Sequence, residues 1–179
     1  MTLSDAFAAL DAHYARTLDR LARPDALRAA PRSDAWSEAQ HLWHADAVAR
    51  GSLGALRQIQ RGSGADAAVH PKARAVLNGG ILPRGFAAPE AFVPPTDVDL
   101  DALRRDLGKR RDIFAALAAD PSALAATGTF AHPRFGPLGA EDWVRFTALH
   151  TVHHDRLIDE IDGDAAGAAG PDAASDRDG

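Results

Sequence analysis

Two histidines lie four residues apart near the C-terminus, in a segment that is otherwise apolar at helical spacing. His150 and His154 share one predicted helix face with the large apolar side chains of the segment from Trp143 to Ile161. A helix buries such a face, and a buried imidazole needs hydrogen-bond partners. A metal ion is the partner that best explains two neutral imidazoles side by side. The alternative is a pair of core histidines bonded to a neighbouring helix.

A third ligand is expected on another helix, which carries His41 and His44. The inward side of that helix is marked by Trp36, Trp43, Ala47 and Gly54. Because His44 lies nearer this side than His41, the candidate ligands are His44, His150 and His154. Three histidines leave a fourth position open, as in catalytic zinc sites, where water or substrate completes the coordination.

Three further polar residues have two interpretations each. His153 flanks the helix face and is either a surface residue or a group that lies behind the ligands. Arg110 falls on an inward stripe, so its guanidinium group could bind an anionic group of a substrate. Alternatively, the aliphatic part of its side chain lies on apolar surface and the guanidinium group is in water. Gln40 could orient a ligand, or serve only in a capping box with Ser37.

The other histidines give weaker signals. His13 points off the apolar stripe of its helix, and His70 and His132 each precede a proline in a connection. The spacing His150-Thr-Val-His153-His154 lacks the glutamate of the zincin motif, so a metalloprotease is not expected. Paired Glu-x-x-His motifs are also missing, which disfavours a di-iron carboxylate site.

Four amphipathic patterns predict the helices that must position these residues. The first is closed by Pro24, the second begins with the Ser37 capping box, the third ends at Asp120-Pro121, and the fourth carries acidic residues in its first turn. The predicted bounds are Leu3 to Leu21, Ser37 to about Gln60, Leu100 to Leu117, and Gly139 or Ala140 to Gly163.

The connections between these helices predict how they are arranged. The segment from Ser63 to Asp97 is rich in Pro and Gly, with one short helix expected around Pro71 to Leu77. A link of this length suits a crossover between two parallel helices of a bundle. A second long connection runs from Pro121 to Leu138. The sequence therefore predicts an all-α four-helix bundle with a long crossover between helices two and three.

Composition limits the classes of function. The 179 residues are 46% hydrophobic, carry a net charge of −5 without a basic cluster, and include no cysteine. One domain over 1–162 is expected, with no nucleic-acid partner and no thiolate metal ligand. Residues 163–179 lack large apolar groups, which predicts a disordered tail. Neither a secretion signal nor a membrane span is evident, so a cytoplasmic protein is expected.

Two segments carry a resemblance to a known family. One is Trp36-Ser37-Glu-Ala-Gln-His-Leu-Trp-His44; the other is His132-Pro-Arg-Phe-Gly136, continuing through Trp143 to His150 and the His153-His154 pair. The chain resembles the DinB-like superfamily of metal-binding four-helix bundles, which includes the bacillithiol-transferase group. Together with the other helices in the expected order, the resemblance covers roughly residues 1 to 162.

The resemblance implies an up-down-down-up bundle with a three-histidine metal centre, whose ligands correspond to His44, His150 and His154. Zinc or nickel is typical of such centres. Characterised relatives activate a low-molecular-weight thiol and transfer it to an electrophile or isomerise a substrate. A metal can do so by lowering the pKa of the thiol. The absence of cysteine is consistent with a thiol supplied from outside the chain.

Two classes of function follow. In the first, the protein is a metal-dependent enzyme, a thiol S-transferase or a hydrolase, that acts on a small electrophilic substrate with His153 and Arg110 behind the ligands. In the second, it is a non-catalytic helical module, for which a homodimer is one expected form, with histidines that pack or sense pH. A third possibility, a small-ligand carrier, would show a deep pocket beside the histidines with no open metal coordination.

Overall fold

The computed structural model describes residues 1–23, 27, 29, 35–82 and 84–168, with the side chains of 164–168 outside that description. Across these residues the protein is predominantly helical. The α-helices are α1 (Leu3–Leu21), α2 (Glu38–Gln60), α3 (Pro71–Gly79), α4 (Leu100–Ala119) and α5 (Ala140–Ala168). The described residues also contain two 3₁₀ turns, Glu90–Phe92 and Pro121–Leu124, and two short strands, β1 (Phe130–His132) and β2 (Gly136–Leu138).

Side-chain caps explain where the helices begin. At α2, Gln40 N donates to Ser37 Oγ at 3.3 Å, and Ser37 N donates to Gln40 Oε1 at 2.8 Å, so the predicted capping box is confirmed. The Gln40 amide also donates to the main-chain oxygen of Pro95 at 3.1 Å. This bond fastens the end of the crossover segment to the first turn of α2.

The four long helices share one core of small and branched side chains. α1 packs against α4 and α5, and α2 packs against α5 and α4. Fully buried members of the core include Leu10, Leu42, Leu107, Val144, Leu149 and Ile158. On α1, α4 and α5 the helix faces predicted from apolar spacing are largely the faces that the fold buries. On α2, Ala47 of the predicted inward side is buried, whereas Trp43 and Gly54 are only partly buried.

The predicted end of the last helix at Gly163 is wrong, because α5 extends to Ala168. An isolated glycine inside a helix costs only about 1 kcal/mol relative to alanine, and the alanine-rich residues that follow have high helix propensity. Residues 169–179 of the predicted tail, like Pro24, lie outside the described residues, and the domain boundary at residue 162 stays a prediction.

The connections contain more structure than the sequence analysis predicted. The expected short helix is α3, which begins with Pro71 and runs to Gly79. The connection after α4 holds an antiparallel hairpin, in which Phe130 pairs with Leu138 and His132 with Gly136. Gly136 has a φ of +70°, which glycine adopts without strain, so the chain can turn at this point. No described helix has both the length and the apolar character needed to cross a membrane.

The prediction that His13 points off the core is wrong. Its side chain is 1% exposed, and its Nδ1 lies 2.8 Å from Oδ1 of Asp155. Asp155 is itself buried and forms an ion pair with Arg16. A polar pair can be buried in this way because each group satisfies the other, a relationship that apolar periodicity does not reveal.

Candidate metal centre

The backbone of α5 holds His150 and His154 one turn apart, and α2 brings His44 against both. The ring centroid of His44 lies 5.0 Å from that of His150 and 4.7 Å from that of His154, and those two are 4.6 Å apart. One nitrogen from each histidine lies within 4.8 Å of the other two. The structure therefore brings together the three candidate ligands in a group that could hold a metal ion.

A main-chain contact fixes the orientation of His44. Its Nδ1 lies 2.6 Å from the main-chain oxygen of Phe92, in the 3₁₀ turn of the crossover segment. A carbonyl oxygen only accepts hydrogen bonds, so Nδ1 carries the proton and Nε2 keeps its lone pair. That Nε2 lies 3.3 Å from Nε2 of His150. Carbonyl partners of this kind commonly set the tautomer of metal-binding histidines.

His41 plays the corresponding part for His154. The Nδ1 atoms of the two rings are 3.0 Å apart, so one donates and the other accepts. When His154 donates from Nδ1, its Nε2 lone pair is available to a ligand. Trp36 packs against the outer side of this group, with its ring centroid 5.5 Å from that of His41 and 4.8 Å from that of His44.

Burial keeps these imidazoles neutral at physiological pH. Burial lowers the pKa of His154 and of His150 far below the usual range of histidine, and the neighbouring imidazoles lower both further. Burial likewise lowers the pKa of His41 to about 4. The pKa of His44 is lowered by burial, although the bond to Phe92 partly opposes the shift. Neutral imidazole is the form that binds metal ions.

The donor set fits a divalent ion that prefers nitrogen ligands. Two nitrogens bound tetrahedrally to one ion at ~2.1 Å are about 3.4 Å apart, and the two Nε2 atoms of His44 and His150 are 3.3 Å apart. His150 also holds a buried Nδ1 with no hydrogen-bond partner among the described residues. Three imidazole ligands would leave a further coordination position of a tetrahedral ion for water or substrate.

The histidines open into a cavity of about 1240 Å³. Its walls come from α2 and α5, from the crossover residues 82, 84–89 and 92, and from the β1–β2 hairpin. At the mouth, Arg84 of the crossover forms two bonds to Glu160 of α5, at 3.0 and 2.5 Å. The volume is ample for a small organic molecule beside the three ligands.

The remaining candidates of the sequence analysis have different surroundings. His153 is half-buried and lines the cavity, with its ring edge-on to that of His154. Arg110 is not among the cavity-lining residues; its Nε lies 3.3 Å from Oδ1 of Asp46, and its side chain is 11% exposed. The Nε atom of Arg110 is therefore buried beside Asp46 rather than in water. Gln40 serves in the capping box, as its simpler interpretation predicted.

Two histidines near the site were missed. His41 was weighed only as a rival ligand, although its position three residues before His44 places both rings on one side of α2. His132 was interpreted as a loop residue, yet it lines the cavity, and its ring centroid lies 4.5 Å from that of Phe146. Its alternation with Phe130 in a short strand was the available signal, and the prolines around it hid that signal.

Comparison with known proteins gives one match. The family model of the DinB superfamily matches residues 7–158, a range that includes all three clustered histidines. No curated protein and no solved structure matches the chain.

Proposed function

This chain belongs to the DinB superfamily, and on that premise we propose that His44, His150 and His154 bind one divalent metal ion, zinc or nickel. The convergence of three neutral imidazoles, with ligand nitrogens within 4.8 Å of one another, is the observation that carries the proposal. The bond from His44 to Phe92 supports it, because that bond directs a lone pair toward His150.

We further propose that the protein is an enzyme that activates a low-molecular-weight thiol, or water, for transfer to a small electrophilic substrate. A bound divalent ion lowers the pKa of a thiol or of water, so that the nucleophilic anion is present at neutral pH. The chain itself holds the three ligands, keeps them neutral by burial, and provides a cavity beside them that admits both reactants. His153 lines the same cavity within reach of a reacting molecule.

The arrangement of the four long helices is part of the same proposal. We assign them the up-down-down-up order of a four-helix bundle. Contacts of α1 with α4 and α5, and of α2 with α4 and α5, support this order, as does the long crossover between α2 and α4.

Metal analysis of the untagged protein tests the first step. We expect close to one zinc or nickel ion per chain, and a loss of that ion when His150 is replaced by alanine. The second step is tested with cysteine and glutathione as thiols and 1-chloro-2,4-dinitrobenzene as electrophile. If the protein binds metal but accelerates neither thiol transfer nor hydrolysis, the result favours a non-catalytic module over an enzyme.

A further inference from the structure

Most of the aromatic side chains of this chain surround the cavity. The protein is only 6% aromatic, yet five of its seven phenylalanines and two of its three tryptophans line this space. Among them, Phe86 is 61% exposed and Phe130 is 37% exposed, so these two side chains are not part of the hydrophobic core. The fully buried core is built mainly from Leu, Ala, Val and Ile. Flat aromatic walls favour a flat aromatic occupant, through offset and edge-to-face contacts.

The hairpin presents a fixed hydrogen-bond donor to this space. Nδ1 of His132 accepts bonds from the main-chain N–H groups of Arg134 at 3.1 Å and Phe135 at 3.2 Å. Burial lowers the pKa of His132 to about 4, so the ring is neutral and its single proton is on Nε2. No described residue is a hydrogen-bond partner of this Nε2. The Nε2–H group can therefore donate to an oxygen of a bound molecule.

Two neighbours of His132 point to the same kind of oxygen. The Trp143 ring lies 5.3 Å from that of His132, and its buried Nε1–H finds no acceptor within the described parts of the chain. Arg134, a cationic group on the hairpin, lies over the Phe86 ring at 4.6 Å and donates to the main-chain oxygen of Ala87 at 2.8 Å. In the described structure it has no carboxylate partner, in contrast to Arg84, which is paired with Glu160. The donors and the positive charge together favour a carboxylate.

We propose that the cavity binds an aromatic carboxylate, with its rings between the aromatic walls and its carboxylate at His132 and Arg134. The inference rests on the proposed function at one point: it identifies this aromatic carboxylate as the electrophilic substrate. Phe146 connects the two places, since its ring lies 4.5 Å from that of His132 and 5.7 Å from that of His150. A molecule of two fused rings that lies along Phe146 can thus extend from the hairpin toward His150.

Binding of 2-naphthoate to the full chain, dialysed against a chelator, tests the proposal by calorimetry. Removal of metal prevents the carboxylate from binding an ion instead of the hairpin. We expect saturable one-to-one binding, at least about tenfold tighter than that of octanoate, which has the same charge but no ring. Absent or unsaturable binding of 2-naphthoate, or equal affinity for octanoate, would overturn the proposal.

Three variants locate the carboxylate. His132→Asn keeps an acceptor for the two main-chain N–H groups but removes the Nε2–H donor of the ring, because the shorter amide ends before that position. Arg134→Gln removes the charge from an exposed side chain. Each should weaken 2-naphthoate binding about tenfold. Arg57→Gln, an equal change of charge on an exposed residue that does not line the cavity, should leave affinity unchanged. If His132→Asn does not fold, Arg134→Gln alone decides, and an unchanged affinity there refutes the assignment.

The same measurements separate this inference from the proposed function. Saturable aromatic binding in a protein that binds no metal would support the inference and refute the metal centre. If the protein binds a stoichiometric metal ion and catalyses thiol transfer but does not bind 2-naphthoate, only the inference is refuted.

Discussion

His41 and His154 face each other across α2 and α5 with their Nδ1 atoms 3.0 Å apart. This contact gives His154 a partner at one nitrogen and directs its other nitrogen toward His44 and His150. Since both rings are neutral, the pair shares one proton between the two Nδ1 atoms. His41 is thus a positioning residue for the proposed centre.

Replacing His41 by phenylalanine should therefore weaken metal binding without abolishing it. Phenylalanine keeps the ring against Trp36 but removes the partner of His154. The loss of such a partner typically costs ~10–100-fold in metal affinity. Competition with a chromophoric zinc chelator measures the dissociation constant. His153→Phe, the same change at a neighbouring histidine, is the control, and affinities of the two variants that agree within about twofold would contradict a positioning role.

His150→Ala should abolish stoichiometric metal binding while leaving the metal-free protein folded. The deletion removes a ligand but enlarges an existing cavity, and the lost imidazole held an unpartnered buried nitrogen. Zinc should accordingly raise the melting temperature of the wild-type protein and not that of the variant, because only a folded state that binds the ion is stabilised by it. His153→Ala is the matched change on the same helix and should retain the zinc effect.

The sequence predicted the helices and the three clustered histidines because both depend on local spacing. An i, i+4 pair on an apolar face and a capping box are local, so His150, His154 and the start of α2 could be found. The roles of His13, Arg110 and His132 depend instead on Asp155, Asp46 and the hairpin, which the fold brings together from distant positions. Long-range polar partners have no periodic signal, so the sequence analysis misjudged these residues.

Asp46→Ala should destabilise the protein strongly. Burial raises the pKa of Asp46, while the charge of Arg110 opposes that shift, so the two groups depend on each other inside the bundle. Removing one partner of a buried ion pair leaves an uncompensated charge, at a cost of about 3–5 kcal/mol. Urea unfolding measures this free energy. The double variant Asp46→Leu, Arg110→Leu should recover most of it, and a single variant within about 0.5 kcal/mol of wild type would show that the pair carries no such dependence.

The pH dependence of stability should report the buried state of His132. Burial lowers its pKa from 6.5 in the unfolded chain to about 4 in the folded protein. Between these values the unfolded chain binds the additional proton, so the free energy of unfolding falls as pH decreases through this window. His132→Asn removes this contribution, and the stability advantage of wild type over the variant should therefore shrink as pH falls from 6.5 toward 4.

Urea unfolding in chelator from about pH 7.5 to about pH 4.5 measures that advantage for each variant. His70→Asn is the matched control, because His70 also accepts a main-chain N–H at Nδ1, from Lys72 at 3.1 Å, but its side chain is exposed. If the two variants show the same pH dependence in this window, burial of His132 is not its cause. If the stability advantage of wild type over His132→Asn stays constant or grows on acidification, the imidazole is protonated at least as readily in the folded protein as in the unfolded chain. The neutral Nε2–H donor facing the cavity would then be lost with it.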